Sequence, residues 1–243
     1  MAESISMGLL KKVWKLLVKT FIVLFVAQLV YIVLLRWVDP PITTVQLGSW
    51  MGGSGLKRDY VPLDEVSPNA GLAVIAAEDQ LFPVHNGFDW KSIEKALKHN
   101  EKKPKRIRGA STISQQVAKN VFLWNGRSWF RKGLEVYFTF MIELVWGKKR
   151  ILEVYLNVAE MGPGIFGIEA ASRAYFKKSA ARLTRREAAM IAACLPNPKK
   201  YTVKPVSSAV KRRYPWVERQ MLNIEPDKNL QQLLKPASIT KGS

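Results

Sequence analysis

Hydrophobic and polar positions divide the chain into one long apolar run followed by a series of helical periods. Residues 20–35 read TFIVLFVAQLVYIVLL, and Val13 to Val18 lengthen the run on its N-terminal side. About 20 apolar residues suffice for one bilayer crossing, so a transmembrane anchor is expected over 13–37. Trp14 and Trp37 bracket it, at the depth where indole rings prefer to sit. Lys15 and Lys19 fall within its margin, where their long stems let the ammonium groups reach the headgroups. Asp39-Pro40-Pro41 stops the run. Gly48, Gly52, Gly53, Ser54 and Gly55 follow, and 38–62 reads as a linker.

Beyond the linker the pattern is helical almost throughout. Ser67-Pro68 predicts a helix start, with proline at the first helical position. Leu72, Val74, Ile75 and Ala76 follow, and Glu78 closes the segment. Thr112 and Gln115 form a capping-box pattern ahead of Ile113, Val117 and Val121, which recur every four residues. Ser128 is placed to cap a long helix ending near Gly147. Ile151, Val154, Tyr155 and Val158 mark a further apolar face, broken by Gly162, Pro163 and Gly164. Thr184 and Glu187 form a second capping box, and Pro196 and Pro198 end its helix. No alternating strand pattern of useful length and no internal repeat is visible. The expected class is mainly α. The expected divisions are 1–12 (cytoplasmic), 13–37 (anchor), 38–62 (linker), 63–224 (a catalytic domain) and 225–243 (a polar tail).

Charge narrows the possible partners. The chain has 243 residues and a net charge of +19. Nucleic acid, anionic lipid and a phosphorylated substrate all suit that balance. Lys11, Lys12, Lys15 and Lys19 lie before the apolar run, while only Arg36 lies close after it. The positive-inside rule then places the N-terminus in the cytoplasm and residues 40–243 outside. The sequence after the run offers no small-x-small cleavage site, which favours an uncleaved anchor over a signal peptide. A domain outside the cytoplasm meets no chromosome, so nucleic acid is set aside in favour of membrane phosphates or a phosphorylated substrate. The single cysteine, Cys194, excludes an intramolecular disulfide. In its Ala-rich helix it reads as a small core residue.

The chemistry-bearing residues come in dense blocks. In AVIAAEDQLFPVHNGFDW the pair Glu78-Asp79 ends an apolar helix, with His85, Gly87 and Asp89 soon after. A carboxylate is poorly placed at a helix C-terminus, where the macrodipole favours cations. It reads either as a partly desolvated general base or as a helix-end acid paired with a lysine. His85, among Pro83, Asn86 and Gly87, reads more readily as a backbone-holding residue than as a base. Ser111 and Thr112 offer hydroxyls and free N–H groups at a helix start, which suits an anion. Gln115, Gln116, Lys119 and Asn120 put amides and a cation away from the apolar stripe; the plainer reading is a solvated face. Arg127, Arg131, Lys132 and Glu135 form a third block, in which Lys132 and Glu135 alone would be an ordinary surface pair. Ser238-Ile239-Thr240-Lys241 matches the S-x-x-K acyl-serine pattern, but with no domain around it the match reads as coincidence.

Taken together these blocks resemble glycosyltransferase family 51, found in bifunctional penicillin-binding proteins and in monofunctional peptidoglycan transglycosylases. Its E-D-x-x-F-x-x-H-x-G-x-D motif is met by Glu78, Asp79, Phe82, His85, Gly87 and Asp89. G-A-S-T-I-x-Q-Q-x-x-K-N is met from Gly109 to Asn120, and R-K-x-x-E by Arg131, Lys132 and Glu135. I-L-E-x-Y-L-N is met from Ile151 to Asn157. The looser match runs from 65 to 222, and no penicillin-binding half follows, so the chain is similar to the monofunctional type.

The resemblance implies a lysozyme-like, two-lobed helical fold with a flexible, membrane-associated jaw over 86–108. There Phe88, Trp90 and Ile93 sit beside Lys102, Lys103, Lys105 and Arg106. It implies polymerisation of lipid II into β-1,4 glycan with inversion and release of undecaprenyl pyrophosphate, at the inner (plasma) membrane. Glu78 would be the general base and Glu135 the second carboxylate. Lys119 and Arg127 would neutralise the donor pyrophosphate. Ser111, Thr112, Gln115, Gln116, Asn120, Arg131, Lys132, Asp79 and His85 would line the substrate. The partners implied are lipid II, the growing glycan, membrane lipids and cell-wall synthesis proteins. No cofactor is required, although a divalent cation, magnesium or manganese, assists some family members; the sequence holds no closed set of metal ligands. The rival readings are a lytic glycosidase using Glu78 as acid and Glu135 as second carboxylate, and a non-enzymatic scaffold for anionic lipid.

Overall fold

The computed structural model describes residues 2–104, 109–126 and 128–235, with the side chains of 2–7 and 9 excepted. The described residues contain eleven α-helices and one small sheet. Two compact units divide at Asp39 and Pro40. The first is helix α1 (Ala2–Leu34). Its stretch Leu10–Leu34 is long and apolar enough to cross a membrane, and its side chains are almost wholly exposed. Such exposure of apolar side chains fits a helix whose surface is meant for lipid.

The second unit is built around α3 (Pro68–Glu78). Ala70 to Ala76 are all buried, so this helix is apolar on every side. A helix of that kind lies at the centre of a core. It packs on α9 (Arg185–Cys194), α10 (Ser208–Ile224) and α11 (Lys228–Leu234). Buried Ala188, Ala189, Ala192 and Ala193 on α9 bring the facing backbones close, since small side chains shorten the interaxial distance. Ser67 caps α3 with proline following, as the pattern predicts. Its hydroxyl, however, donates to Leu183 O at 2.9 Å instead of closing the helix start.

The next helices along the chain are α4 (Trp90–Lys102), α5 (Ile113–Phe122), α6 (Trp129–Val145) and α7 (Gly147–Val158). Here α5 packs on both α6 and α7. Both capping boxes form: Thr112 with Gln115 at α5, and Thr184 with Glu187 at α9. Ser128 caps α6, accepting from Arg131 N at 3.1 Å. Helix α8 (Ile168–Phe176) completes the set.

The three strands are β1 (Lys57–Arg58), β2 (Glu160–Gly162) and β3 (Ile165–Phe166), in the order β1-β3-β2. At two or three residues each they are too short to print an alternating pattern. The stretch read as a linker is folded in part: α2 (Thr44–Met51) and β1 both lie in it. Asn157 fastens its end, accepting from Val61 N at 3.0 Å and donating to Val61 O at 2.9 Å. Part of the stretch read as a polar tail is also folded. Leu230 of α11 is buried, and the Leu234 side chain fills the space above Gly71 where a Cβ would stand 2.6 Å away.

Candidate active site

Glu78 is delivered by the last turn of α3, where Asp79 ends the helix. Its side chain is 15% exposed. Two helices approach its two oxygens. Gln116 of α5 donates its amide to Oε2 at 3.1 Å. Arg213 of α10 reaches Oε1 at 3.5 Å and donates to Ala77 O at 3.1 Å. The misfit of an acid at a helix C-terminus is thereby resolved by donors brought from distant sequence. Burial pushes the Glu78 carboxyl above the ordinary glutamate value. Gln116, Arg213 and Lys119 pull it back, while Asp79 adds to the rise. A half-buried carboxylate of this kind is the form a general base needs.

Gln116 is itself held. Tyr155 on α7, buried, donates its hydroxyl to the Gln116 side-chain oxygen at 3.1 Å. The amide nitrogen therefore points to Glu78, and the chain Tyr155–Gln116–Glu78 runs in one hydrogen-bond direction.

Asp79 does different work. It is buried, and it accepts from His85 Nε2 at 2.9 Å and from Ile113 N at 2.9 Å. The other ring nitrogen, Nδ1, accepts from Gly87 N at 3.1 Å, so the network places the ring proton on Nε2. Asp79 and His85 thus tie the loop after α3 to the start of α5. A carboxylate at a helix N-terminus also suits the macrodipole.

Gln115 is consumed by its capping box, accepting from Thr112 N at 3.0 Å. Thr112 is buried and donates its hydroxyl to Gly87 O at 2.7 Å. Ser111 is exposed at the mouth of the cleft, and Asn120 is buried near the end of α5. Of the predicted substrate contacts, then, Gln116, Lys119 and Ser111 flank the Glu78 carboxylate or its cleft. Asp79, His85, Thr112 and Gln115 hold the elements that carry them.

Lys119 is half-buried one turn beyond Gln116. Burial pushes its ammonium below the ordinary lysine value. Glu135 opposes this most strongly, the Arg131 and Lys132 cations reinforce it, and Glu78 opposes it. Glu135 is buried on α6 and holds two cations, Arg131 at 3.1 Å and Lys132 at 2.5 Å. The predicted surface pair is therefore part of a triad around a buried acid, with Arg131 largely covered, Lys132 still 41% exposed, and all three charges acting on Lys119. Arg127 lies outside the described residues, as do Lys105, Arg106 and the Ser238–Lys241 pattern.

The cleft in front of Glu78 measures about 360 Å³. Its walls include Asp89, Ser92, Lys95, Ser111 and Trp216. A hollow of about 710 Å³ lies at the opposite end of α3, between Pro68 and α11. It is larger, but it lacks a buried acid facing cations, and chemistry outweighs size in locating a site. Among the described residues no group of three or more His, Cys, Asp and Glu is arranged to hold a metal ion.

Three residues went unassigned from sequence. Tyr155 stood inside the I-L-E-x-Y-L-N motif without a role, so its signal was present. Arg213 sat in a run of basic residues, Lys211 to Arg213, and Trp216 in a helix with no apparent function. Only their arrival beside Glu78 distinguishes them.

Comparison with known proteins shows the family. The family model described as Transglycosylase matches residues 45–222, well over half of the chain. A biosynthetic peptidoglycan transglycosylase of Shigella boydii serotype 4 (strain Sb227) is 57% identical over 190 residues, which are 77% of this chain and 78% of that protein. A protein of the same name from Escherichia coli (strain K12 / DH10B) shows the same identity and coverage. With a family model matching most of its length and relatives this similar over 77% of it, the chain belongs to the transglycosylase family.

Proposed function

We propose that Glu78 is the general base of the peptidoglycan glycosyltransferase reaction that this protein carries out. The acceptor is lipid II, and the donor is a growing glycan whose terminal anomeric carbon carries undecaprenyl pyrophosphate. Glu78 takes the proton of the acceptor 4-hydroxyl. The acceptor oxygen bonds to the anomeric carbon as the carbon–pyrophosphate oxygen bond breaks, and the configuration inverts from α to β. Pyrophosphate leaves without a strong acid, but its growing charge needs neutralising. Lys119 supplies a cation next to the base, and the resemblance adds Arg127. Glu135 holds Arg131 and Lys132 in place and offsets some of the repulsion they exert on Lys119.

The observation that carries this reading is that Gln116 and Arg213 each donate to a different oxygen of Glu78. Those donors work against the burial that raises this carboxyl, and the Lys119 cation acting on the same carboxylate suits a departing pyrophosphate, which a lytic glycosidase does not have. Incubation with purified lipid II tests it: polymer supports the transferase, cleavage fragments the hydrolase, and binding without turnover the scaffold.

The same reading assigns α1 as a single-pass anchor in the inner (plasma) membrane, with the N-terminus cytoplasmic and residues 40–243 outside. The catalytic domain, expected over 63–224, takes in α2, β1 and α11 as well, and membrane lipids and cell-wall synthesis proteins are its neighbours. Exposed Trp90 and Leu97 on the strongly amphipathic α4 support the jaw as a bilayer contact.

A further inference from the structure

Helix α2 is built inside out. Its polar residues Gln46 and Ser49, with the N-cap Thr43, are buried. Leu47, Trp50 and Met51 are exposed, at 39%, 61% and 76%. The buried side is satisfied by hydrogen bonds. Thr43 and Gln46 close a capping box, Gln46 also reaches the Tyr60 hydroxyl at 3.4 Å, and Ser49 donates to Gly55 O at 3.2 Å. From the solvent side, Thr44 donates its hydroxyl to Leu123 O at the end of α5. Trp124, the next residue after Leu123, is 48% exposed. A helix that faces water at one side and a protein core at the other orders its residues the opposite way.

We propose that α2 lies in the bilayer interface, with Leu47, Trp50 and Met51 in contact with lipid. Three observations name lipid as the occupant. First, the segment is tethered there: α2 begins at Thr44, ten residues after the apolar helix α1 ends at Leu34. Ten residues reach at most about 35 Å. Second, residues 40–56 carry no charged side chain in a chain of net charge +19. A face meant for water, or for an acidic partner, would carry some of that charge. Third, the exposed set is Leu, Trp and Met around a tryptophan, whose indole prefers the headgroup boundary.

The placement has a consequence for catalysis, and in this it rests on the reading of α5 given above. Because α2 is fastened to the end of α5 at Leu123, a fixed depth for α2 sets the height of α5. That helix carries Gln116 and Lys119. The pyrophosphate of a lipid-linked donor lies at headgroup level, so α2 positions Lys119 where the leaving group must be met. The jaw helix α4 is flanked by lysines and would bind partly by charge; α2 has no charge and binds by apolar contact alone.

Depth measurement tests this on the full-length chain in vesicles of phosphatidylethanolamine and phosphatidylglycerol. Cys194 is wholly buried and free, so a cysteine introduced at Leu47 or Met51 is the labelled one. A fluorophore at either position is expected to be quenched by lipids spin-labelled in the acyl chain and protected from aqueous iodide. Raising the salt to about 1 M, where the Debye length is about 3 Å, should leave that quenching unchanged. A label at exposed Lys228 should show the reverse, quenched by iodide alone. Iodide quenching at 47 and 51 overturns the proposal. So does protection from iodide without lipid quenching, which means that protein covers the face. Turnover separates the depth role from the chemistry. The double change Leu47→Asp and Trp50→Asp should lower polymerisation in vesicles about tenfold, while activity in detergent micelles, where depth is not imposed, stays near the native value. Equal loss in both settings overturns the height-setting role while leaving Glu78 and Lys119 unaffected.

Discussion

Gln116 and Glu78 meet through a hydrogen bond whose direction is set from behind, by the Tyr155 hydroxyl on the far side of the Gln116 amide. An amide has two ends that differ in sign. Reversed, Gln116 would present an oxygen to a carboxylate and oppose its ionisation. Tyr155 occupies the oxygen and leaves the nitrogen for Glu78. The proposed base is therefore tuned by a residue that need not touch substrate.

Glu78→Gln preserves size and removes the proton acceptor. Polymerisation of lipid II should fall by about a hundredfold or more, with helical circular dichroism retained. Thermal unfolding should move the other way. Burial raises the folded-state pKa of Glu78, so folding is penalised as pH rises above the ordinary glutamate value and the penalty persists at neutral pH. Removing the charge should raise Tm near pH 7, at about 2–4 °C per kcal/mol relieved, and the gain should vanish below pH 4. Near-normal turnover would move the base elsewhere, with Glu135 the next candidate.

Tyr155→Phe removes the hydroxyl that orients Gln116. Glu78 then loses a reliable donor and its pKa rises further. Since the base must be ionised, activity disappears as pH falls through that pKa. The acidic limb of kcat/KM should shift to higher pH, with a loss on that limb of up to about tenfold, the effect of roughly one hydrogen bond, and recovery at alkaline pH. Arg213→Met should move the limb in the same direction. A uniform loss at every pH would assign both residues to packing alone.

Lys119→Ala should lower turnover strongly, because the leaving-group charge grows toward the transition state. Lys119→Arg should restore only part of it, since a planar fork is not a point charge. Lys102→Ala, on the exposed end of α4, should change turnover little. Equal losses for Lys119→Ala and Lys102→Ala in the same lipid II assay would mean that both cations act only through attraction to the membrane.

Gly87 adopts φ of +87°, and a Cβ there would stand 2.9 Å from Thr139 Cγ2 and 3.1 Å from Glu143 Cγ. Gly87→Ala therefore meets backbone strain and a clash with α6 together. A loss of about 2 kcal/mol is expected, read as a lower Tm in detergent. Because Gly87 also donates to His85 and accepts from Thr112, activity should fall with it. An unchanged Tm would show that the loop relaxes freely.

A reporter fused after Ser243 should be active only outside the cytoplasm. The expectation comes from the lysines before the apolar run and the one arginine close after it. Cytoplasmic activity of the fusion would reverse the assignment of the catalytic domain to the outer face.

Sequence alone determined whatever rests on neighbours a few residues apart. The apolar run of α1, the proline start of α3 and the two capping boxes are local devices, and each lies where its spacing predicts. Glu78 was singled out because an acid at a helix C-terminus is locally anomalous, and the four motifs sufficed to indicate the family. Tertiary structure decided what depends on residues far apart in the chain. It divided the motif side chains between those that flank Glu78 and those that hold elements in place: Gln116 and Lys119 on one hand, Asp79, His85, Thr112 and Gln115 on the other. It brought Arg213 across 135 positions to the Glu78 carboxylate and Tyr155 behind Gln116. It also folded part of the glycine-rich stretch into α2 with its polar side inward. Periodicity could not reveal that helix, because it assumes that the apolar face of a helix is the buried one. A helix packed through hydrogen bonds on its polar side breaks the assumption, because its partners Tyr60, Gly55 and Leu123 lie outside the helix itself.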